Sequence, residues 1–184
     1  STPTITTLNA DIAGNIVNYN GTSVQTIMVP SSSTYRILTI NNAAGATLAG
    51  AVTVSTLTIG DVTGSSVFND GGYQVTSTGT LNLTSGTFKL GSAGTATTFP
   101  AFATRNISSG TTVEYASGVA QAISTTPSYQ NLTFSGAGTK TTASGTLTVL
   151  GNWNSSSTTS MNSTTANVTG NLTVTGVALT NSGT

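Results

Sequence analysis

The chain has 184 residues, 36% hydrophobic and only 4% charged, with four basic and four acidic side chains and no cysteine or histidine. That composition excludes disulfides, thiolate metal sites and histidine-based triads. It leaves Arg36, Lys89, Arg105 and Lys140 far apart in sequence, a poor set for neutralising phosphates, so no nucleic-acid partner is expected. No run approaches the ~20 apolar residues that a membrane-inserted helix needs.

From the N-terminus, Ser1 to Asp11 reads as an extended opening segment with neither the basic start nor the apolar run of a signal peptide. Ile16, Val17 and Tyr19 lead to Asn20-Gly21, a tight-turn signal, and Val24 to Val29 reads as the return strand. Tyr35 to Ile40 is the next strand. Val52 and Val54 alternate with Thr53, and Leu57 and Ile59 with Thr58; the phase slips by one residue at Ser55-Thr56, which predicts a corner between two short strands. Asn69-Asp70-Gly71-Gly72 is the clearest loop. Leu81-Asn82-Leu83 and Phe88-Lys89-Leu90 are short strands, and Phe99-Pro100-Ala101-Phe102 is the candidate for a bulky plug or a boundary. Most of the pattern of Gly110 to Trp153 repeats the earlier one, and Leu172-Thr173-Val174 and Val177-Ala178-Leu179 close the chain.

The repetition is specific. Tyr115, Gln121 and Ile123 follow Tyr19, Gln25 and Ile27 at 96 positions (115−19, 121−25, 123−27). Tyr129, Leu132 and Thr133 follow Tyr35, Leu38 and Thr39 at 94 (129−35), and Leu147 to Val149 follow Val52 to Val54 at 95 (147−52). Residues 1–105 are therefore one superrepeat and 106–184 a second, in what reads as one continuous solenoid. Inside each copy a shorter phrase recurs, apolar-Thr-apolar, with steps of 19 (57−38), 24 (81−57) and 25 (172−147). Those steps suit one coil of a parallel β-helix, with Leu, Val or Ile inward, Thr outward and Gly or Asn at the corners. The fold expected is all-β, a parallel β-helix of short strands whose superrepeat spans about four coils. The buried set expected is Val54, Leu57, Ile59, Leu81, Leu83, Leu132, Phe134, Leu147, Val149, Leu172 and Val174. Two tandem β-sandwich domains are the alternative, because the period is close to the ~100 residues of such a domain.

The runs Gly110-Thr-Thr-Val-Glu-Tyr115, Gln130-Asn-Leu-Thr-Phe-Ser-Gly-Ala-Gly-Thr-Lys140 and Gly145-Thr-Leu-Thr-Val-Leu-Gly-Asn-Trp153 resemble the β-strand repeats of large secreted bacterial surface adhesin-like proteins of the Bacteroidetes type. The resemblance covers nearly all of the second copy and most of the first. It implies a right-handed β-helix, an extracellular or cell-surface location, and a stalk, adhesin or filament rather than an enzyme. The first copy departs from it at Arg36-Ile37, where the second has Gln130-Asn131, and lacks the second copy's Gly138-Thr-Lys140.

Chemistry is sparse. The acids are Asp11, Asp61, Asp70 and Glu114. Asp61 and Asp70 could meet around one coil as a glycosidase pair, but both read as turn residues, and Glu114 reads as an outward strand residue. No catalytic residue, metal ligand or cofactor is expected. The binding candidates are Thr53, Thr58, Thr148 and Thr173, which would form an ice- or glycan-binding array if they lined one flat face, and Trp153, which would stack on a sugar if exposed or cap a coil if not. The remaining partner expected is the chain itself: Thr2 to Asp11 and Val177 to Thr184 match the interior strands in composition, so the end coils are expected to meet further repeats or another copy, end to end.

Overall fold

The computed structural model describes residues 5–61, 65–162 and 164–181. Every strand pairing in it is parallel, and no helix occurs among the described residues. That removes the sandwich alternative, whose sheets are antiparallel. The chain winds through eight turns, each visiting three faces in the same order. Turn 1 has β1 (Ile16–Tyr19) on the first face and β2 (Gln25–Ile27) on the second. β3 (Thr34–Ile40) then crosses from the third face of turn 1 to the first face of turn 2. Turn 2 continues with β4 (Ala46–Leu48), and β5 (Val52–Ile59) crosses in the same way into turn 3. Turn 3 adds β6 (Ser66–Asn69) and β7 (Val75–Thr76), and turn 4 has β8 (Thr80–Leu83) and β9 (Gly86–Leu90) with no strand on its third face.

From turn 5 all three faces carry separate strands. Turn 5 is β10 (Thr104–Ile107), β11 (Thr112–Tyr115) and β12 (Gln121–Ile123); turn 6 is β13 (Ser128–Tyr129), β14 (Asn131–Phe134) and β15 (Lys140–Thr142). Turn 7 is β16 (Gly145–Val149), β17 (Trp153–Ser155) and β18 (Thr159–Met161), and turn 8 is β19 (Thr164–Val168), β20 (Leu172–Val174) and β21 (Leu179–Asn181). The second face is one unbroken eight-stranded sheet, β2-β4-β6-β9-β11-β14-β17-β20, and it runs straight across the expected boundary near residue 105. The first face is in two pieces, β1-β3-β5-β8-β10 and β13-β16-β19.

Alternation explains the core. On the first face the stack Leu38, Leu57, Leu81 is fully buried, and so is Ile40, Ile59, Leu83 beside it. Each such side chain stabilises the fold by roughly 1.5–3 kcal/mol relative to exposure. The phase slip at Ser55-Thr56 is a real corner: Val52 and Thr53 pair with β7, whereas Thr56 to Ile59 pair with β8. Aromatic rings form a spine inside turns 3 to 7, from Phe68–Phe88 (centroids 5.2 Å apart) through Phe99, Tyr129, Tyr115 and Phe134 to Trp153. Phe99 and Phe102 are buried, so the Phe-Pro-Ala-Phe stretch plugs the interior where turn 4 lacks a third-face strand.

Several expectations change. Nine of the eleven expected core residues are buried, but Leu172 and Val174 are 46% and 36% exposed, because they occupy interior positions on the last described turn with nothing stacked above them. Asn20-Gly21 is a corner and not a hairpin, since β1 and β2 lie on different faces. The step of 25 from Leu147 to Leu172 is not one coil: Leu147 stacks under Ala166 on the first face, and Leu172 stacks on Trp153 on the second. The superrepeat is not four coils but four and one third. Tyr19 is on the first face and Tyr115 on the second; Gln25 is on the second and Gln121 on the third; Tyr35 is on the third and Tyr129 on the first. Every matched pair has moved on by one face. Of the two end segments, residues 2–4 and 182–184 lie outside the described residues; Leu8 and Ala10 lie against the third-face edge of turn 1, where their carbonyls accept from Ser31 N (2.8 Å) and Arg36 N (2.7 Å).

Candidate functional site

The outward threonines do not make one array. Thr53 is on the third face, Thr58 and Thr148 on the first, and Thr173 on the second. The same inward-outward alternation serves all three faces, so the phrase apolar-Thr-apolar does not choose among them. Thr58 lies in a polar column, Asn18, Thr39, Thr58, Asn82, Asn106, where Asn106 Nδ2 donates to Asn82 Oδ1 at 2.8 Å and Asn82 Nδ2 to Thr58 Oγ1 at 3.4 Å. A second column is at the corner before the second face: Asn152 N donates to Asn131 Oδ1 (3.0 Å) and Asn171 N to Asn152 Oδ1 (2.9 Å). These side chains bind the next turn. Trp153 is 1% exposed and packs on Phe134 at 5.3 Å, so it is a core residue and presents no ring to a sugar.

The residues repeated at 94 and 96 build one corner twice. Tyr19 and Tyr35 hydroxyls lie 3.4 Å apart, Met28 N donates to Tyr19 Oη (3.0 Å), and Tyr35 Oη donates to Met28 O. In the second copy the Tyr115 and Tyr129 hydroxyls are 2.7 Å apart, Ser124 N donates to Tyr115 Oη (3.3 Å), and Tyr129 Oη donates to Ser124 O (2.7 Å). The glutamines match too: Gln25 Oε1 accepts from Gly21 N at 2.7 Å, and Gln121 Oε1 from Ser117 N at 3.1 Å. Burial pushes the Tyr35, Tyr115 and Tyr129 phenols well above their ordinary range, so they remain neutral hydrogen-bonding groups. They tie the bend at Met28 and the matching bend at Ser124 to the backbone.

The polar residues buried in the interior include Asp70, Gln121 and Lys140. Asp70 was expected as a turn residue. It does accept from Gly72 N (2.8 Å) in the turn, but it is fully buried, where Oδ1 also accepts from Gly91 N (2.8 Å) and Oδ2 from Thr97 Oγ1. Burial raises its carboxyl above the usual range, and those three donors oppose the rise. Gln121 Nε2 donates to Leu90 O (3.1 Å) and Thr97 O (2.9 Å), which tie down the strandless stretch of turn 4. Lys140 Nζ donates to Ser117 O and Gly138 O, both at 2.8 Å, and burial pushes its ammonium down to about 8. Glu114 pairs with Lys89 across neighbouring outward positions at 3.4 Å. Asp61 is at the surface while Asp70 is enclosed, so the two are not an opposed pair. Among the described residues no three acids gather to hold a metal ion.

Where the first face divides, a cleft of ≈ 330 Å³ opens, lined by Arg105, Ile107, Thr126, Pro127, Ser128, Gln130 and Leu150. Arg105 stands in the interior column above Leu81, and its Nε is buried without a hydrogen-bond partner. The sequence carried a signal for it that composition hides: Arg105-Asn106-Ile107 repeats Leu81-Asn82-Leu83 24 positions on (105−81) with a guanidinium in place of the first apolar group. Compared with known proteins, the chain matches no family model, no curated protein and no solved structure.

Proposed function

We propose that this chain is a non-catalytic structural module of a bacterial cell-surface protein: a rigid stalk, or a filament subunit. The observation that carries the reading is the unbroken second face, eight parallel strands stacked over one apolar core, with further apolar side chains bare on turn 8. Leu172, Val174 and Leu179 occupy interior columns and are 46%, 36% and 38% exposed. Among the described residues β19, β20 and β21 are each paired on one side only. Unpaired parallel edges over an apolar end are a template for another turn. The resemblance to secreted adhesin-like repeats supports an extracellular location, and so does a surface of Thr, Asn and Ser with few charges.

Light scattering over a wide concentration range tests the reading. The intact chain is expected to associate end to end, and Leu172→Asp with Val174→Asp is expected to hold it monomeric with unchanged circular dichroism. If the intact chain is already monomeric at high concentration, filament assembly is wrong and only a spacer within a longer chain remains. Asp61→Asn with Asp70→Asn is expected to leave no polysaccharide turnover to lose; a measured loss would overturn the non-enzyme part.

A further inference from the structure

We propose that the breach between β10 and β13 is a binding site for an extended acidic peptide segment, which lies along the two strand edges and sets a carboxylate on Arg105. The proposal is independent of the stalk reading. Its first ground is the backbone. In a parallel ladder alternate residues turn their N–H and C=O to alternate neighbours. Ser108 N donates to Leu83 O at 2.9 Å, so Asn106 and Ser108 face β8, and Arg105 and Ile107 face away from it, into the breach. Leu150 N donates to Tyr129 O at 2.8 Å, so Tyr129 faces β16 and Ser128 faces the breach from above. Strand edges left open on both walls of a cleft suit a ligand that itself carries alternating donors and acceptors, which is a main chain.

The second ground is charge. Arg36 is exposed, Lys89 is paired with Glu114, and Lys140 is enclosed by carbonyls. Among the described residues Arg105 makes no ion pair, and its buried Nε donates to nothing. Desolvating a guanidinium N–H without an acceptor is unfavourable, and a carboxylate satisfies it with a charge-assisted bond. The third ground is the walls. Ile107 and Leu150 are apolar and Leu150 is 48% exposed, so alternate side chains of an extended ligand have apolar surface to cover. The cleft volume of ≈ 330 Å³ lies at the lower end of the range for small-ligand sites, enough for a short stretch of strand and not for a folded partner.

Fluorescence anisotropy with a labelled, acetylated and amidated pentapeptide Thr-Val-Asp-Val-Thr tests it, beside the same peptide with Asn for Asp, and with galacturonic acid as a competitor. The Asp peptide is expected to bind saturably and the Asn form at least about tenfold more weakly. Amide signals of Arg105, Ile107 and Ser128 are expected to shift on binding. Arg105→Met is expected to bring the two peptides to equal affinity. Leu150→Glu at the exposed rim sets a carboxylate beside Arg105 without disturbing the core, and is expected to weaken the Asp peptide at least about tenfold at unchanged melting temperature. No binding at millimolar peptide, equal binding of the Asp and Asn forms to the intact protein, or indifference to Leu150→Glu would each overturn the proposal. Displacement of the peptide by galacturonic acid at similar concentration would also overturn it, as a pocket for sugar acids in place of a peptide site.

Discussion

Lys140 keeps an ammonium inside the solenoid on two carbonyls and no acid, and its lowered pKa of about 8 against an ordinary 10.5 fixes the sign of a pH effect. Between those values the unfolded chain holds the proton and the folded chain does not, so stability rises with pH through the window. The buried tyrosines act in the opposite sense: their raised folded pKa values remove stability only as pH rises above about 10. The denaturation midpoint of the intact chain is therefore expected to rise from pH 7 to about 9.5, and that of Lys140→Met to lack the rise. Asp70 answers a different question, since it satisfies three buried donors at once. Asp70→Asn retains Oδ1 for both glycine amides and is expected to shift stability by about 1 kcal/mol or less. Asp70→Leu leaves all three donors without an acceptor, at ~1–3 kcal/mol each, and is expected to cost several kcal/mol in urea titration.

At the scale of the element, the corners decide how one strand is aimed at the next face. Gly138 shows how little room they leave: a Cβ there would meet Val119 O at 1.9 Å, whereas at Gly94 it would meet nothing within 4 Å. Gly138→Ala is expected to destabilise by about 2 kcal/mol or more, as overpacking against backbone does, and Gly94→Ala to be near neutral; thermal melts of the pair compare the two corners directly. The tyrosine clasp is the other device. Tyr129→Phe removes the donor to Ser124 O and the contact with the Tyr115 hydroxyl. A loss of about 1–3 kcal/mol is expected, and a double-mutant cycle with Tyr115→Phe is expected to be non-additive because the two hydroxyls act as one network. The clasp works equally on different faces because its contacts lie within ~17 residues (Tyr19 to Tyr35, or Tyr115 to Tyr129) and do not refer to the solenoid as a whole.

For the whole molecule, stability is close to a sum over turns and their interfaces. Among the described residues turns 2 to 7 have neighbours on both sides, and turn 8 has one. Hydrogen exchange is expected to be fastest in β19, β20 and β21, slow in the second-face strands β4 to β17, and intermediate at β10 and β13, where the first face is interrupted. Equal protection of turn 8 and turn 4 in a monomeric sample would contradict this picture of independent coupling between neighbours. The same reasoning gives the division near residue 105 its physical meaning. It is a gap in one face only, bridged by a continuous second face and by the Phe99–Tyr129 contact beneath it.

Much of this was legible in the residues. The period-2 alternation of Leu38-Thr39-Ile40 or Leu57-Thr58-Ile59 states which side chains turn inward, and the slip at Ser55-Thr56 states where a corner falls, because both are local consequences of the pleat. The stacking of Leu38 on Leu57 on Leu81 followed from steps of 19 and 24. What alternation cannot encode is the face on which a strand lands. That depends on every corner before it, and turn lengths run from 19 (57−38) to 25 (113−88). The threonine rows were therefore dispersed over three faces, and the 96-residue copies were rotated by a third of a turn. Burial of the polar groups was decided at the same level. Asp70, Lys140 and Arg105 look like surface residues one at a time, and only the stacked turns show each to occupy an interior column or an interrupted wall. The outcome depends on which neighbours supply Thr97 Oγ1, Ser117 O, or nothing at all.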